Sequence, residues 1–120
     1  MTDEPSSPEN EPLPAASEAT TILDHQKVLN AVVDPVRRSL LKILSQGTPY
    51  DVTALAAKVR RRRDMAAKHL KVLRDCRLIL PTKVAGADGR KTFHIVPPVY
   101  IKTDAAGRTA LDFGSIVLRF

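Results

Sequence analysis

Lys58-Val59-Arg60-Arg61-Arg62-Arg63-Asp64-Met65-Ala66-Ala67-Lys68-His69-Leu70-Lys71-Val72-Leu73-Arg74-Asp75-Cys76-Arg77 carries two signals at once. From Asp64 onward Ala66, Leu70 and Leu73 recur at the four-and-three spacing of one helix face. Lys68, Lys71 and Arg74 fall on other faces, and four consecutive arginines stand at the helix entrance. An apolar back with a basic start suits a helix whose N-terminus lies against a phosphate backbone. Guanidinium groups can grip phosphate or guanine bidentately. The plain alternative is a solvated charged face, which most charge runs are.

The charge distribution favours the first reading. The 120-residue chain has a net charge of +6, yet residues 1–20 hold five acids (Asp3, Glu4, Glu9, Glu11, Glu18) and no Lys or Arg. Removing that −5 leaves +11 for residues 21–120. Residues 58–91 alone hold twelve Lys or Arg against three Asp, a local +9. Cation focused on one stretch points to a polyanionic partner rather than to solubility alone. The length allows one domain with one modest core. No apolar run approaches the roughly 18 residues of a membrane span, and no secretory signal is visible. A single cysteine, Cys76, excludes an internal disulfide and a multi-cysteine metal site, and fits a reducing cytoplasmic compartment.

Upstream of the basic stretch, residues 1–20 are rich in Pro, Ser, Glu and Ala. Such a segment buries too little surface to offset its ordering entropy, so it is predicted to be a disordered acidic tail. It either solubilises passively or folds back on the basic surface. A first helix is predicted from Thr21, with Ile22, Leu29, Val32 and Val33 on its apolar face. Asp34-Pro35 ends it and starts a second, with Asp34 as N-cap and Pro35 in the first helical position. Val36, Leu40, Ile43 and Leu44 form the predicted buried stripe, and Gly47 the left-handed cap. Thr48-Pro49-Tyr50 reads as a loop. Asp51 then caps a third helix, Val52 to about Val59, with Val52, Leu55, Ala56 and Val59 inward.

A short helix, a tight turn at 60–62 and a second helix with a polar front is the helix-turn-helix layout. Downstream, Leu78-Ile79-Leu80 is an apolar run ended by Pro81. Thr82–Val84 and Lys91–Val96 read as hairpin arms around an Asp88-Gly89 turn, with Phe93 and Ile95 on the inward face. After Pro97-Pro98, Val99–Thr103, Thr109–Phe113 and Ile116–Phe120 read as extended segments, forming a small meander. The expected fold class is mainly α with a small β part: a winged helix-turn-helix with a hairpin wing and an extended C-terminal segment. The expected organisation is a tail at 1–20, a DNA-binding domain at 21–96, and a dimerisation or packing segment at 97–120.

Two motifs carry a resemblance over roughly residues 22–96. Val28-Leu29-Asn30-Ala31-Val32-Val33-Asp34-Pro35-Val36-Arg37-Arg38 resembles the Leu-x-Asp-Pro-x-Arg segment of ArsR-type (arsenic-repressor-like) winged-helix regulators. His69-Leu70-Lys71-Val72-Leu73-Arg74 resembles the recognition-helix signature of that family, and Leu78-Ile79 followed by a hairpin resembles its helix exit and wing. The resemblance implies a homodimeric bacterial or archaeal DNA-binding repressor that reads a palindromic operator, working in the cytoplasm on the nucleoid. Metal-sensing relatives carry Cys-x-Cys before the recognition helix; Asp51 and Thr53 stand there in this chain and do not replace two thiolates. His25, His69 and His94 lie far apart in sequence. No metal, cofactor or membrane is therefore expected. Arg60 and Arg61 replace the turn's usual Gly and apolar residue, and Arg77 replaces a Gly after the recognition helix. A non-glycine residue at a left-handed position is uncommon, so a different turn geometry is expected there.

The expected DNA-contacting residues are Arg61, Arg62, Arg63, Asp64, Lys68, His69 and Lys71 from the helix and its entrance, with Lys83, Arg90 and Lys91 from the wing. The competing reading is a winged helix that binds a protein, its C-terminal segment adding a strand to the partner. An enzyme is disfavoured: no nucleophile–base pair, phosphate-binding glycine loop or metal motif appears. RNA recognition would call for aromatic residues among the arginines, and none lies there. Cys76 reads either as a small apolar group at a helix end or as a thiol activated by Arg74 and Arg77.

Overall fold

The computed structural model describes residues 23–120. The expected acidic tail at 1–20, and Thr21 and Ile22, lie outside the described residues. Helix α1 spans His25–Val32 and is capped by the Asp24 carboxylate, which accepts from the Lys27 amide at 3.1 Å. It thus begins later than the expected Thr21. Its buried face is Val28, Ala31 and Val32, while Leu29 and Val33 are exposed. The expected stripe was out of phase by one residue, because α1 meets the body through the 28/31/32 side.

Helix α2, Pro35–Leu44, starts as the Asp-Pro pair dictates. Asp34 Oδ1 accepts from the amides of Val36 at 2.8 Å and Arg37 at 3.1 Å, and Pro35 has no amide to satisfy. Leu40, Leu41 and Leu44 are fully buried, with Val36 and Ile43 packed at the margin. Gly47 at φ +88° lets the chain turn away, in a conformation that L side chains rarely adopt.

Tyr50–Asp51 forms a short strand, β1, where a loop was expected. Helix α3, Val52–Val59, follows, capped by Asp51 through the Ala54 amide at 2.9 Å. Helix α4 spans Arg63–Asp75 and buries Ala66, Leu70 and Leu73 completely. Strands β2, Leu80–Thr82, and β3, Phe93–Ile95, form the hairpin. Pairing is antiparallel in the order β1-β3-β2, with Tyr50 opposite His94 and Pro81 opposite His94 on the other side. Pro81 lies within the strand rather than ending the run before it. An edge strand tolerates a residue that cannot donate. The inward residues near the hairpin are His94 and Val96, not Phe93 and Ile95.

A 3-10 turn at Pro98–Tyr100 leads into a second antiparallel sheet: β4 Ile101–Thr103, β5 Thr109–Asp112 and β6 Val117–Arg119, in that order. Leu111 and Phe113 belong to the same core as the helices, and Tyr100 meets Phe113 edge to face at 5.1 Å. His25 of α1 and Ser115 sit 2.6 Å apart (Nδ1 to Oγ), tying the first helix to the meander.

Candidate nucleic-acid interface

The α3–α4 turn shows how the arginine run is presented. Arg60 takes the left-handed conformation, φ 57° and ψ 48°. Its amide donates to Ala57 O and that of Arg61 to Ala56 O, at 3.2 and 3.0 Å, closing α3 in a Schellman-type cap. The end of α4 repeats the pattern. Arg77 sits at φ 62°, its amide donating to Arg74 O, and the Leu78 amide reaches back to Leu73 O. The altered geometry expected from arginine in place of glycine does not occur: both caps keep the left-handed form with arginine in it. Each costs on the order of 1–2 kcal/mol relative to a glycine's freedom.

Arg61, Arg62, Arg63 and Asp64 are exposed at the start of α4. The Arg62 side chain, 81% exposed, lies 3.4 Å from Asp64 Oδ2, and Asp64 Oδ1 also accepts from the Met65 amide. Arg63 Nε donates to Thr53 Oγ1 at 3.3 Å, pinning its stem against α3. Lys68 is exposed on the outer face. Lys71 is exposed too, bonded to Asp75 one turn later at 2.8 Å, and that hydrogen bond holds the Asp75 carboxyl below its usual range. Exposed pairs of this kind are weak and exchange readily for a phosphate partner.

His69 does not share that outer face. It is half-buried on the side toward the Asp34-Pro35 corner, where Arg37 Nη1 donates to its Nδ1 at 3.1 Å. The sequence allowed it a structural role or a phosphate contact, and this bond supplies a structural partner. Arg37 stands in the first turn of α2, at the end of the helix dipole that favours anions. The structure makes it a junction: Nε donates to Ala31 O at 2.7 Å and Nη2 to Asn30 O at 3.4 Å, satisfying carbonyls at the α1 C-terminus.

In the wing, Lys83 is turned inward along the hairpin. Its Nζ donates to Gly89 O at 3.1 Å and Lys91 O at 3.0 Å, clamping the loop. Arg90 is 92% exposed and paired with Asp88, whose carboxyl its hydrogen bonds hold below the usual range. Lys91 Nζ lies 3.6 Å from Asp51 Oδ2, joining wing to α3. Sequence reasoning missed Arg74 and His94. Arg74 Nη1 donates to His94 Nε2 at 3.4 Å, and Nδ1 of this buried ring has no partner among the described residues. Guanidinium only donates, so Nε2 accepts and Nδ1 carries the proton. An unpaired buried N–H costs about 1–3 kcal/mol. Burial first, then the Arg74 charge, holds the His94 pKa below its ordinary value.

Asp51 and Thr53, at the positions of a thiolate pair in metal-sensing relatives, are taken up by the α3 cap and by Arg63. Among the described residues no group of three or more His, Cys, Asp or Glu is placed to hold a metal ion. Cys76 is half-buried with its Sγ 3.6 Å from Lys27 O, and burial pushes its thiol up rather than activating it. No described helix is long and apolar enough to cross a membrane.

No family model matches the chain, and no curated protein matches it. Solved structures do. One, described as a possible transcriptional regulator for arsenical resistance, is 31% identical over 59% of this chain and 69% of its own, with a TM-score of 0.50. An ArsR-like transcriptional regulator from Rhodococcus sp. RHA1 is 27% identical over 62% of this chain and 65% of its own, TM-score 0.53. This chain belongs to the ArsR family of winged helix-turn-helix regulators. A further likeness is one of fold: a homodimeric winged helix-turn-helix DNA-binding domain from Mycobacterium bovis, a possible ArsR-family regulator, is 20% identical over 59% of this chain and 61% of its own, TM-score 0.52. The match to this ArsR-family chain thus spans less than two thirds of the Rhodococcus and Mycobacterium proteins.

Proposed function

We propose that this ArsR-family chain is a sequence-specific double-stranded-DNA-binding transcriptional repressor that acts as a homodimer in the cytoplasm and is neither an enzyme nor metal-responsive through the usual sites. The observation that carries it is the presentation of the arginine run. One left-handed cap closes α3 just before α4, a second closes the end of α4, and the run is exposed between α3 and α4 near the wing cations. In this reading Arg61, Arg62, Arg63, Asp64, Lys68 and Lys71 meet the major groove and its phosphates, while Arg90 and Lys91 meet the flanking backbone. Lys83 shapes the wing and His69 orients α4. Selection of bound fragments from random duplex DNA tests it: an enriched palindromic sequence is the expected result, and no enrichment above random would end the reading.

The homodimer reading draws on apolar surface left open on α1 and beyond it: Leu29, Val33, Val99 and Val117 are all exposed. Truncation at Pro98 is a poor test, because it would remove core residues Leu111 and Phe113. Leu29→Glu with Val33→Lys should instead halve the mass measured by light scattering while leaving helicity intact. We propose residues 1–20 as an acidic tail, 21–96 as the DNA-binding unit and 97–120 as its packing and dimerisation segment. A second reading, a protein-binding module, rests on the open edges of β4 and β6. Failure to enrich any duplex would favour it.

A further inference from the structure

A cleft of about 450 Å³ lies between the α3–α4 pair and the wing. Its walls carry Arg63, Arg74, Arg90 and Lys91 against one carboxylate, Asp51, a net +3. Asp51 is already committed: one oxygen caps α3 and the other faces Lys91 at 3.6 Å. Thr53 and Thr92 add hydroxyls, and Val52, Ala67 and Leu70 supply an apolar floor. The buried His94 borders the same cleft, held there by Arg74 through Nε2. Four cations and two hydroxyls form a donor set with almost no acceptors.

The geometry points to a binding site here for a phosphate-type dianion, of the size of a phosphate monoester. A single carboxylate would leave most of the +3 uncompensated; a dianion with three acceptor oxygens offsets most of that charge and offers each oxygen more than one donor. The volume suits a small molecule rather than a dinucleotide. Arg63 and Arg74 come from one helix, about three turns apart, and Lys91 from the wing. An occupant therefore joins the recognition helix to the wing and fixes their relation. A free phosphate monoester supplies that dianion; a DNA phosphodiester, a monoanion with two free oxygens, would meet the same donors only in part. The site rests on the fold and stands whether or not the DNA-binding reading does.

The test titrates the full chain with inorganic phosphate, without DNA, and follows the Thr53, Thr92 and His94 signals by NMR against sodium chloride at equal ionic strength. Saturable shifts confined to the cleft are expected. Arg74→Gln should weaken the binding about tenfold or more, since it removes a charged bidentate donor and the His94 partner together. Arg108→Gln, in the distant β4–β5 loop, should leave it unchanged. Arg74 is half-exposed, and an unaltered far-UV spectrum would show that its variant folds. Shifts that never saturate, that sodium chloride reproduces, or that survive in Arg74→Gln would overturn the site. In a second arm a short duplex is added to the phosphate-loaded protein. Release of phosphate would assign the cleft to a backbone phosphodiester, and retention to a free ester.

Discussion

Arg37 Nη1 donates to His69 Nδ1 across 3.1 Å, so a residue of the α2 entrance holds the recognition helix by a side chain on its inner flank. The same guanidinium closes the end of α1 through Ala31 O and Asn30 O. Because arginine cannot accept, His69 must carry its proton on Nε2. One side chain thus couples three helices, which gives a physical reason for arginine in the Asp-Pro-x-Arg segment. Arg37→Ala should lose about 1–3 kcal/mol of stability, the range for hydrogen bonds to a charged group. His69→Ala should lose less, since the two carbonyl bonds survive. Urea denaturation measures both, and equal losses would show that the His69 bond is the only one that counts.

The arginine caps set local strain against charge. At Arg60 a glycine would relieve the left-handed strain, at some cost through the freer unfolded chain. Arg60→Gly should therefore be neutral to stabilising, by up to about 1 kcal/mol. If the arginine is there for a phosphate, the same variant should bind DNA more weakly. A clear fall in stability would mean that Arg60 makes a native interaction outweighing its backbone strain.

These two cases mark where the sequence was readable. The N-caps were legible because they depend on short-range chemistry: Asp34 and Asp51 accept from amides two or three residues on, whereas the α2 C-cap is Ser45, with Gly47 left-handed two residues later. The α4 face was legible because Ala66, Leu70 and Leu73 repeat at a single helical period. The phase of α1 was not. Val28, Leu29, Val32 and Val33 support two adjacent stripes, and only the rest of the fold decides between them. The wing strand failed for a similar reason. Alternation fixes which residues share a face, but not that the His94 side is the inner one. For the proposed contacts Lys83 and His69, the sequence showed the side chains but not the carbonyls or the arginine that the fold sets beside them.

The pH dependence of stability should carry a signature of His94. Its folded pKa lies below the unfolded value of about 6.5, so the unfolded chain binds more protons between the two. Stability from this residue is therefore full above pH 7, begins to fall as pH drops through about 6.5, and goes on falling until the folded pKa is passed. Asp34 acts lower on the scale. Burial works to raise its carboxyl, but the Arg37 and Val36 amides outweigh that and lower it, so its contribution is lost only in more acid solution. His94→Gln should flatten the slope of urea midpoint against pH below about pH 6.5. An unchanged slope would mean that another group produces it.

The arginine run gives the most direct test of the DNA interface. Each neutralised phosphate releases counterions, so affinity for duplex DNA should fall steeply with salt. Replacing Arg62 and Arg63 with Ala should lower the salt slope by about one unit for each that contacts phosphate. The structure separates the two. Among the described residues Arg62 is held by an exposed pair with Asp64 alone, whereas Arg63 is pinned to Thr53 and lines the cleft. Arg62 is therefore the freer of the two to reach a base. If it reads guanine, Arg62→Ala should cost about 1–3 kcal/mol at the selected site alone and leave the salt slope nearly unaltered. In the wing, Arg90→Ala should weaken all sequences alike through lost charge. Lys83→Ala should do so through a loosened loop, seen as faster amide exchange at Gly89 and Lys91. Arg108→Ala, in the β4–β5 loop, should matter little. Should the Arg62 and Arg63 double variant bind as tightly as the wild type at every salt concentration, α4 is not the recognition helix, and the protein-binding reading takes its place.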